Sequence, residues 1–271
     1  MMPPVTYVLN DSRTPLLILC GPPASGKTLV LRRLTRYLTG LGYYIEPRLD
    51  FASGTDSVYR TLAQSFNERM MSDSIPAGDI RMMLASVYSG LHESKLQILD
   101  TGTYDIDTIS EPTAALLSSI ANLATARMPK TWCFFIDSCP RGFTSIYTEH
   151  INRLRFLINA RRDKVILLFS KVDTRPSLMR RGRSEPDIKA AMRLAGNMYP
   201  RLFHIFNNTR PLARLWRPHA LPVTFLPFSS GSLSTDEEQP RLSDSPDRYP
   251  AALLKAVGGF SPKKQKSRKN R

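Results

Sequence analysis

The stretch Gly21-Pro22-Pro23-Ala24-Ser25-Gly26-Lys27-Thr28 fits the pattern G-x-x-x-x-G-K-[ST]. Those residue types at that spacing suit one task, the holding of phosphate oxygens. Many donors must converge at close range, and a tight loop with glycines can turn its backbone N–H groups inward. A helix that starts where the loop ends adds its positive end. The candidate phosphate-binding residues are therefore Gly21, Ala24, Ser25, Gly26, Lys27 and Thr28. Lys27 can reach β- and γ-phosphates and is the candidate catalytic cation, and Thr28 can offer its hydroxyl to Mg2+. The competing reading is a Gly/Pro turn with a surface lysine. The surroundings favour the first: an apolar run "PLLILC" precedes the loop and an apolar-periodic segment follows it.

Three further clusters stand at the ends of apolar runs. "LQILDTGT" ends in Asp100, a carboxylate able to serve a magnesium ion, followed by Gly102, whose N–H could meet a γ-phosphate. Asp137 in "FFIDSCP" is the rival carboxylate. "KVILLFSKVD" runs into Ser170, Lys171 and Asp173. A carboxylate at that place can accept two bonds from guanine, N1–H and the exocyclic amine, and adenine has no such donor pair. The lysine stem can lie on the purine face. "FLPFSSGS" brings Ser229, Ser230 and Gly231 after a last apolar run, where a backbone N–H could meet guanine O6.

These clusters need strands to carry them. "PLLILC" (15–20), "TWCFFID" (131–137), "KVILLFS" (164–170) and "LPVTFLPFS" (221–229) read as strands, and "IRMMLASVY" (80–88) with "KLQILD" (95–100) as a hairpin. Helical spacing recurs over 28–39, 57–71, 113–127, 144–160, 187–198 and near 250–257. Alternation of the two predicts an α/β fold with a mainly parallel sheet, and the early hairpin predicts one antiparallel edge strand. Residues 232–250 turn polar and rich in Ser, Asp and Pro, as a linker does, and the Arg-rich 174–186 reads as an exposed loop.

Taken in chain order, the four clusters resemble the Ras-like GTPases of the TRAFAC class, over roughly residues 5–232. The resemblance implies a three-layer P-loop NTPase fold that binds GTP or GDP with Mg2+ and acts as a molecular switch on an effector protein. It places the phosphate loop at 21–28, the D-x-x-G motif near 100–103, the [NT]-K-x-D motif at 170–173 and the S-A-x loop at 229–231. It also puts one domain at 1–232, with an inserted helix near 57–71. The remainder, 233–271, is a polar linker, short helix and basic tail. A switch threonine for Mg2+ is expected between Lys27 and Asp100, and Thr55 is the candidate, with an N-cap as its other reading. The sequence departs from the family pattern in three places. Glycine follows Asp100 by two residues rather than three, Tyr104 and Asp105 stand where a water-orienting glutamine is common, and Ser170 replaces asparagine. The first two point to slow intrinsic hydrolysis, or to a missing group supplied by another chain.

Composition bounds the alternatives. The 271 residues are 42% hydrophobic, enough for a core, and no apolar stretch reaches the roughly 18 residues of a membrane span. Cys20, Cys133 and Cys139 are too few for a disulfide framework, and the first two read as buried small hydrophobes. These features point to the cytoplasm. His92, His150, His204 and His219 lack metal-ligand spacing. The net charge is +15, and six of the eleven residues from Ser261 to Arg271 are basic. Such a balance favours an acidic surface, whether membrane, nucleic acid or protein, and a peripheral position on it. Two other classes remain open. One is a P-loop ATPase or kinase, with Arg180, Arg181 and Arg183 as a phosphate-clamping lid. The other is a degenerate GTPase scaffold that binds nucleotide without turnover.

Overall fold

A computed structural model describes residues 7–22, 24–52, 57–74, 82–90, 93–102, 122–123, 125–137, 144–159, 161–175, 178, 187–202, 223–234 and 241–258. Seven strands form one sheet. They are β1 (Leu16–Cys20), β2 (Tyr44–Pro47), β3 (Met83–Ser89), β4 (Glu93–Asp100), β5 (Lys130–Asp137), β6 (Lys164–Ser170) and β7 (Val223–Pro227). Their spatial order is β2-β3-β4-β1-β5-β6-β7. The pairs β4–β1, β1–β5, β5–β6 and β6–β7 are parallel, whereas β3 is antiparallel to both β2 and β4.

Burial explains why β1, β5 and β6 are continuous apolar runs. Leu16 to Leu19, Trp132 to Ile136 and Val165 to Phe169 are essentially inaccessible, as in strands covered on both faces. Helix α1 (Lys27–Gly40) follows β1. It turns Leu31, Leu34 and Leu38 into the core, as helical spacing predicts, whereas Leu29, expected beside them, is only half-buried and Val30 is buried instead. The helix α4 (Thr144–Leu154) connects β5 to β6, and α5 (Ile188–Met198) lies between β6 and β7. Right-handed crossovers in a sheet that propagates in opposite directions from β1 put α1 on one face and α4 and α5 on the other. The result is the three-layer α/β arrangement expected from the sequence.

Several elements differ from the sequence reading. The helix expected over 57–71 is two, α2 (Ser57–Gln64) and α3 (Phe66–Met71), broken at Ser65, whose hydroxyl bonds back to Leu62 O at 3.3 Å. They bury Tyr59 and Ala63, then Phe66 and Met70; helical spacing predicts Phe66 and Met70 but also Val58 and Leu62, of which Val58 is exposed and Leu62 half-buried. Strand β2 was not expected; it covers the antiparallel β3, which otherwise forms the sheet edge. Of the helix expected over 113–127, residues 122–123 and 125–127 are turns or irregular, and the rest falls outside the described residues.

The stretch read as a linker contains a hairpin, β8 (Gly231–Leu233) with β9 (Leu242–Asp244). Helix α6 (Arg248–Val257) follows and buries Tyr249, Leu253, Leu254 and Val257. Two buried arginines of α1 hold this segment. Arg32 donates to Asp244 Oδ1 at 2.8 Å and to Ser72 O at 2.9 Å. Arg33 donates to Ser245 O at 2.6 Å and pairs with Asp247 at 2.5 Å. The segment is polar because its partners are arginines. Polarity therefore does not mark it as a linker, and residues up to 258 pack onto the same core.

Candidate functional site

The end of β1 builds the loop. Gly21 lies so close to its surroundings that a Cβ there would sit 2.5 Å from Ser25 Oγ and 2.8 Å from Phe135 Cβ. Only glycine fits. Ala24 (φ 58°) and Gly26 (φ 96°) both take left-handed backbone. Gly26 then starts α1 with no side chain bonded to its first turn, so that turn's amides face the loop. Ser25 Oγ is buried and has no hydrogen-bond partner among the described residues. A buried hydroxyl left without a partner calls for one, and a ligand phosphate at the loop could supply it. Pro23 lies outside the described residues.

Lys27 is 4% exposed, and its ammonium donates to Gly21 O at 2.7 Å and Pro22 O at 3.0 Å. Its cation is folded back on the loop it would serve. Burial pulls its pKa below the usual 10.5, and the nearby Asp100 carboxylate opposes that shift. The same burial pushes the Cys20 thiol up to about 12, so it stays protonated. Cys20 and Cys133 are both free and buried, as small hydrophobes are.

Parallel pairing sets Asp100 beside Leu19, next to the loop. Its Oδ2 accepts from Thr28 Oγ1 at 3.0 Å. A hydroxyl and a carboxylate 72 residues apart in the chain are thus joined at the foot of α1. Two hard oxygen donors beside a phosphate cradle fit Mg2+, and Thr28 and Asp100 are the residues that would hold it. Gly102 N–H, expected to reach a γ-phosphate, donates instead to Asp100 Oδ1 at 3.0 Å, as short Asp turns do. Thr101 Oγ1 bonds Leu19 O at 2.9 Å and locks the turn to β1. Thr103, Tyr104, Asp105 and Thr55 fall outside the described residues. The rival Asp137 ends β5, in register with Ser170.

The two loops read as base-binding meet at the ends of β6 and β7. Phe228 N–H donates to Phe169 O at 2.8 Å, and Val172 N–H to Phe228 O at 3.5 Å. These bonds bring Ser170, Lys171 and Asp173 alongside Ser229, Ser230 and Gly231. Ser170 and Ser229 are buried, and Ser170 Oγ bonds Ile136 O at 3.4 Å. Lys171 takes a left-handed φ of 57°, and Asp173 lies in a 3-10 turn, Val172–Thr174, with Thr174 Oγ1 bonded to Lys171 O at 2.7 Å. In sheet order these loops stand two and three strands from β1, roughly 10–15 Å away at ordinary strand spacing. A nucleotide with its phosphates at 21–28 would have to span that distance to place its base there.

Sequence reasoning missed Tyr147. Its hydroxyl donates to Cys20 O at 3.1 Å and fixes the last residue before the loop. Phe135, a core residue of the run 131–137 read as a strand, also forms the wall behind Gly21, a role the run does not announce. Both sit in ordinary apolar patterns, so neither carried a signal.

Strand order, loop and helix together define an α/β P-loop NTPase fold. No family model matches the chain, and no curated protein matches it. Among solved structures, it is similar to the signal recognition particle receptor SRb-GTP/SRX complex from Chaetomium thermophilum, at 10% identity and a TM-score of 0.46, over 89% of this chain and 97% of that one. A second is nucleolar GTP-binding protein 1 from Plasmodium falciparum, at 14% identity and a TM-score of 0.33, over 81% of this chain and 79% of that one. The fold assignment rests on the strand order and the loop geometry.

Proposed function

We propose that this chain binds GTP and GDP with Mg2+, as a divergent Ras-like GTPase of the TRAFAC class. The observation that carries this reading is the Thr28–Asp100 pair at the foot of α1, beside the buried Lys27. The phosphates would lie on the amides of 24–28, with Lys27 leaving its carbonyls to meet them. Thr28 and Asp100 would hold magnesium, which would supply positive charge beside the phosphates. The base would lie between Lys171 and the Ser229–Gly231 loop, with Asp173 accepting from guanine.

Hydrolysis is slow in this reading. Gly102 N–H is already engaged by Asp100, and the chain offers Tyr104 and Asp105 where a water-orienting glutamine is common. The segments near 43–79 and 101–112 would respond to the γ-phosphate and present a surface to an effector. A cytoplasmic setting accompanies this role. The engaged Gly102 equally favours a scaffold that holds nucleotide without turnover.

The test is Mg2+-dependent binding of GTP, GDP, ATP and XTP to the wild type and to Asp173→Asn. Guanine preference, with a gain of xanthine nucleotides in the variant, supports the reading. ATP binding as tight or tighter, unchanged in the variant, would overturn it in favour of an ATPase or kinase.

A further inference from the structure

The end of the sheet opposite the phosphate loop carries a chemistry of its own. Strands β1, β5 and β6 begin there, and Arg13, Arg127, Arg155, Arg161 and Arg162 cluster around those beginnings, all exposed. Short bonds tie them into one face. Leu16 N–H donates to Pro129 O at 3.0 Å, and Arg162 Nη1 to Arg127 O at 3.2 Å. Helix α6 ends on the same face, where Lys164 Nζ bonds Val257 O at 2.9 Å. Among the described residues the carboxylates at this end are Asp163, Asp11 and Glu93, the last exposed at the start of β4 and paired with Lys95. Asp163 is 2% exposed and accepts from the backbone of Lys130 and Asn159 and from Trp132 Nε1. Asp11 accepts from the backbone of Arg13 and Thr14.

Phe156 projects from this face. It follows α4 in a 3-10 turn, Arg155–Leu157, and is 81% exposed, with the Arg155 guanidinium 5.9 Å from its ring centroid. The chain leaves the same face at Gly258 and continues into the stretch 261–271, with its six basic residues.

We propose that this face docks on an anionic phospholipid bilayer. Phe156 enters the boundary between headgroups and acyl chains, and the arginines lie on the lipid phosphates. The arrangement favours a bilayer over nucleic acid, because single-stranded binding surfaces line up several rings for successive bases. Among the described residues the other exposed aromatic of this kind is Tyr44, on the far edge strand β2. Docking by this end leaves the loop 21–28 facing away from the membrane, open to ligand. The inference does not depend on which nucleotide that loop binds.

The experiment uses the full chain and sedimentation with vesicles of phosphatidylcholine, with and without phosphatidylserine, over a salt series. The expected result is partition onto the phosphatidylserine vesicles only, weakening as salt rises. Each cation near such a surface is worth roughly fivefold, so Arg127→Glu with Arg161→Glu should lower partition by about 25-fold or more. Phe156→Ser should lower it by about tenfold. Circular dichroism and a thermal melt check that both variants fold. Equal binding to neutral vesicles, no binding to anionic ones, or partition unchanged in both variants would overturn the proposal. So would displacement from anionic vesicles by a single-stranded oligonucleotide that the chain binds more tightly.

Discussion

Lys27 shows how a residue proposed to bind phosphate works against stability. Its ammonium is buried with two carbonyl partners and, among the described residues, no carboxylate bonded to it directly, an arrangement that would become favourable on arrival of a phosphate. Lys27→Met should therefore lose nucleotide binding by ~100-fold or more, while the free protein gains ~1–3 kcal/mol, read from fluorescent-nucleotide titration and from Tm. The pH dependence follows from the direction of the shift. The folded pKa lies below the unfolded value of 10.5, so between the two the unfolded chain holds more protons. Stability from this group is lowest below the folded value and rises as pH climbs through it toward 10.5. The Tm advantage of Lys27→Met should therefore shrink as pH is raised, and an advantage constant with pH would contradict the assigned burial. Thr28 and Asp100 act as a pair. Thr28→Val and Asp100→Asn should each abolish the loss of affinity that chelation by EDTA causes in the wild type, a change measured by titration with and without the chelator.

Between β1 and α1, a few backbone angles decide whether the loop exists. Gly21 has no room for a Cβ, since Ser25 and Phe135 already occupy that space. Gly21→Ala should cost ~1–3 kcal/mol by overpacking and should weaken nucleotide binding with it. Denaturant melts and nucleotide titration on the same variant separate the two effects. Loss of stability with binding intact would show that the loop relocates without harm. Gly26→Ala tests a different cause, because a Cβ there meets nothing within 4 Å. Its φ of 96° alone penalises the substitution, by about 1–2 kcal/mol. The difference between the two glycines is steric in one case and torsional in the other.

Across the whole molecule, the C-terminal segment belongs to the core. Arg32, its side chain fully buried, joins α1 to Asp244, to Ser72 O and, at 3.4 Å, to Asp73. Removing it deprives Ser72 O, Asp244 and the buried Leu242 O of a donor, and because Asp73 and Asp244 stay in reach of water, Arg32→Ala should cost roughly 1–3 kcal/mol in chemical denaturation. A chain ended after Ser234 loses Leu253, Leu254 and Val257 from the interior. Each such side chain is worth ~1.5–3 kcal/mol of burial, so that truncation should abolish the cooperative melt. A folded, cooperative truncated chain would show that α6 only covers the core and does not complete it. The helix α1 thus serves two places: its N-terminus closes the candidate phosphate loop, and its side holds the C-terminal segment.

The sequence by itself determined the local pieces. Strands β1, β5 and β6 were legible because burial on both faces demands unbroken apolar runs. The loop was legible because phosphate contact demands glycine, lysine and a hydroxyl at fixed spacing. The clusters at Asp100, Lys171 and Ser229 were legible because each stands where an apolar run stops. Tertiary structure decided what those pieces do to one another. Parallel pairing brought Asp100 to Thr28, and bonds between the ends of β6 and β7 joined the two loops proposed to bind the base. Neither contact follows from spacing along the chain. The polar stretch after β7 concealed a hairpin and a core helix, because its partners are buried arginines of α1, and α1 shows by periodicity only its apolar stripe. Tyr147 holding the end of β1, and the arginine face opposite the loop, came from distant segments meeting at one place. Local chemistry can be read in sequence order, whereas contacts across the sheet depend on which strand lies beside which.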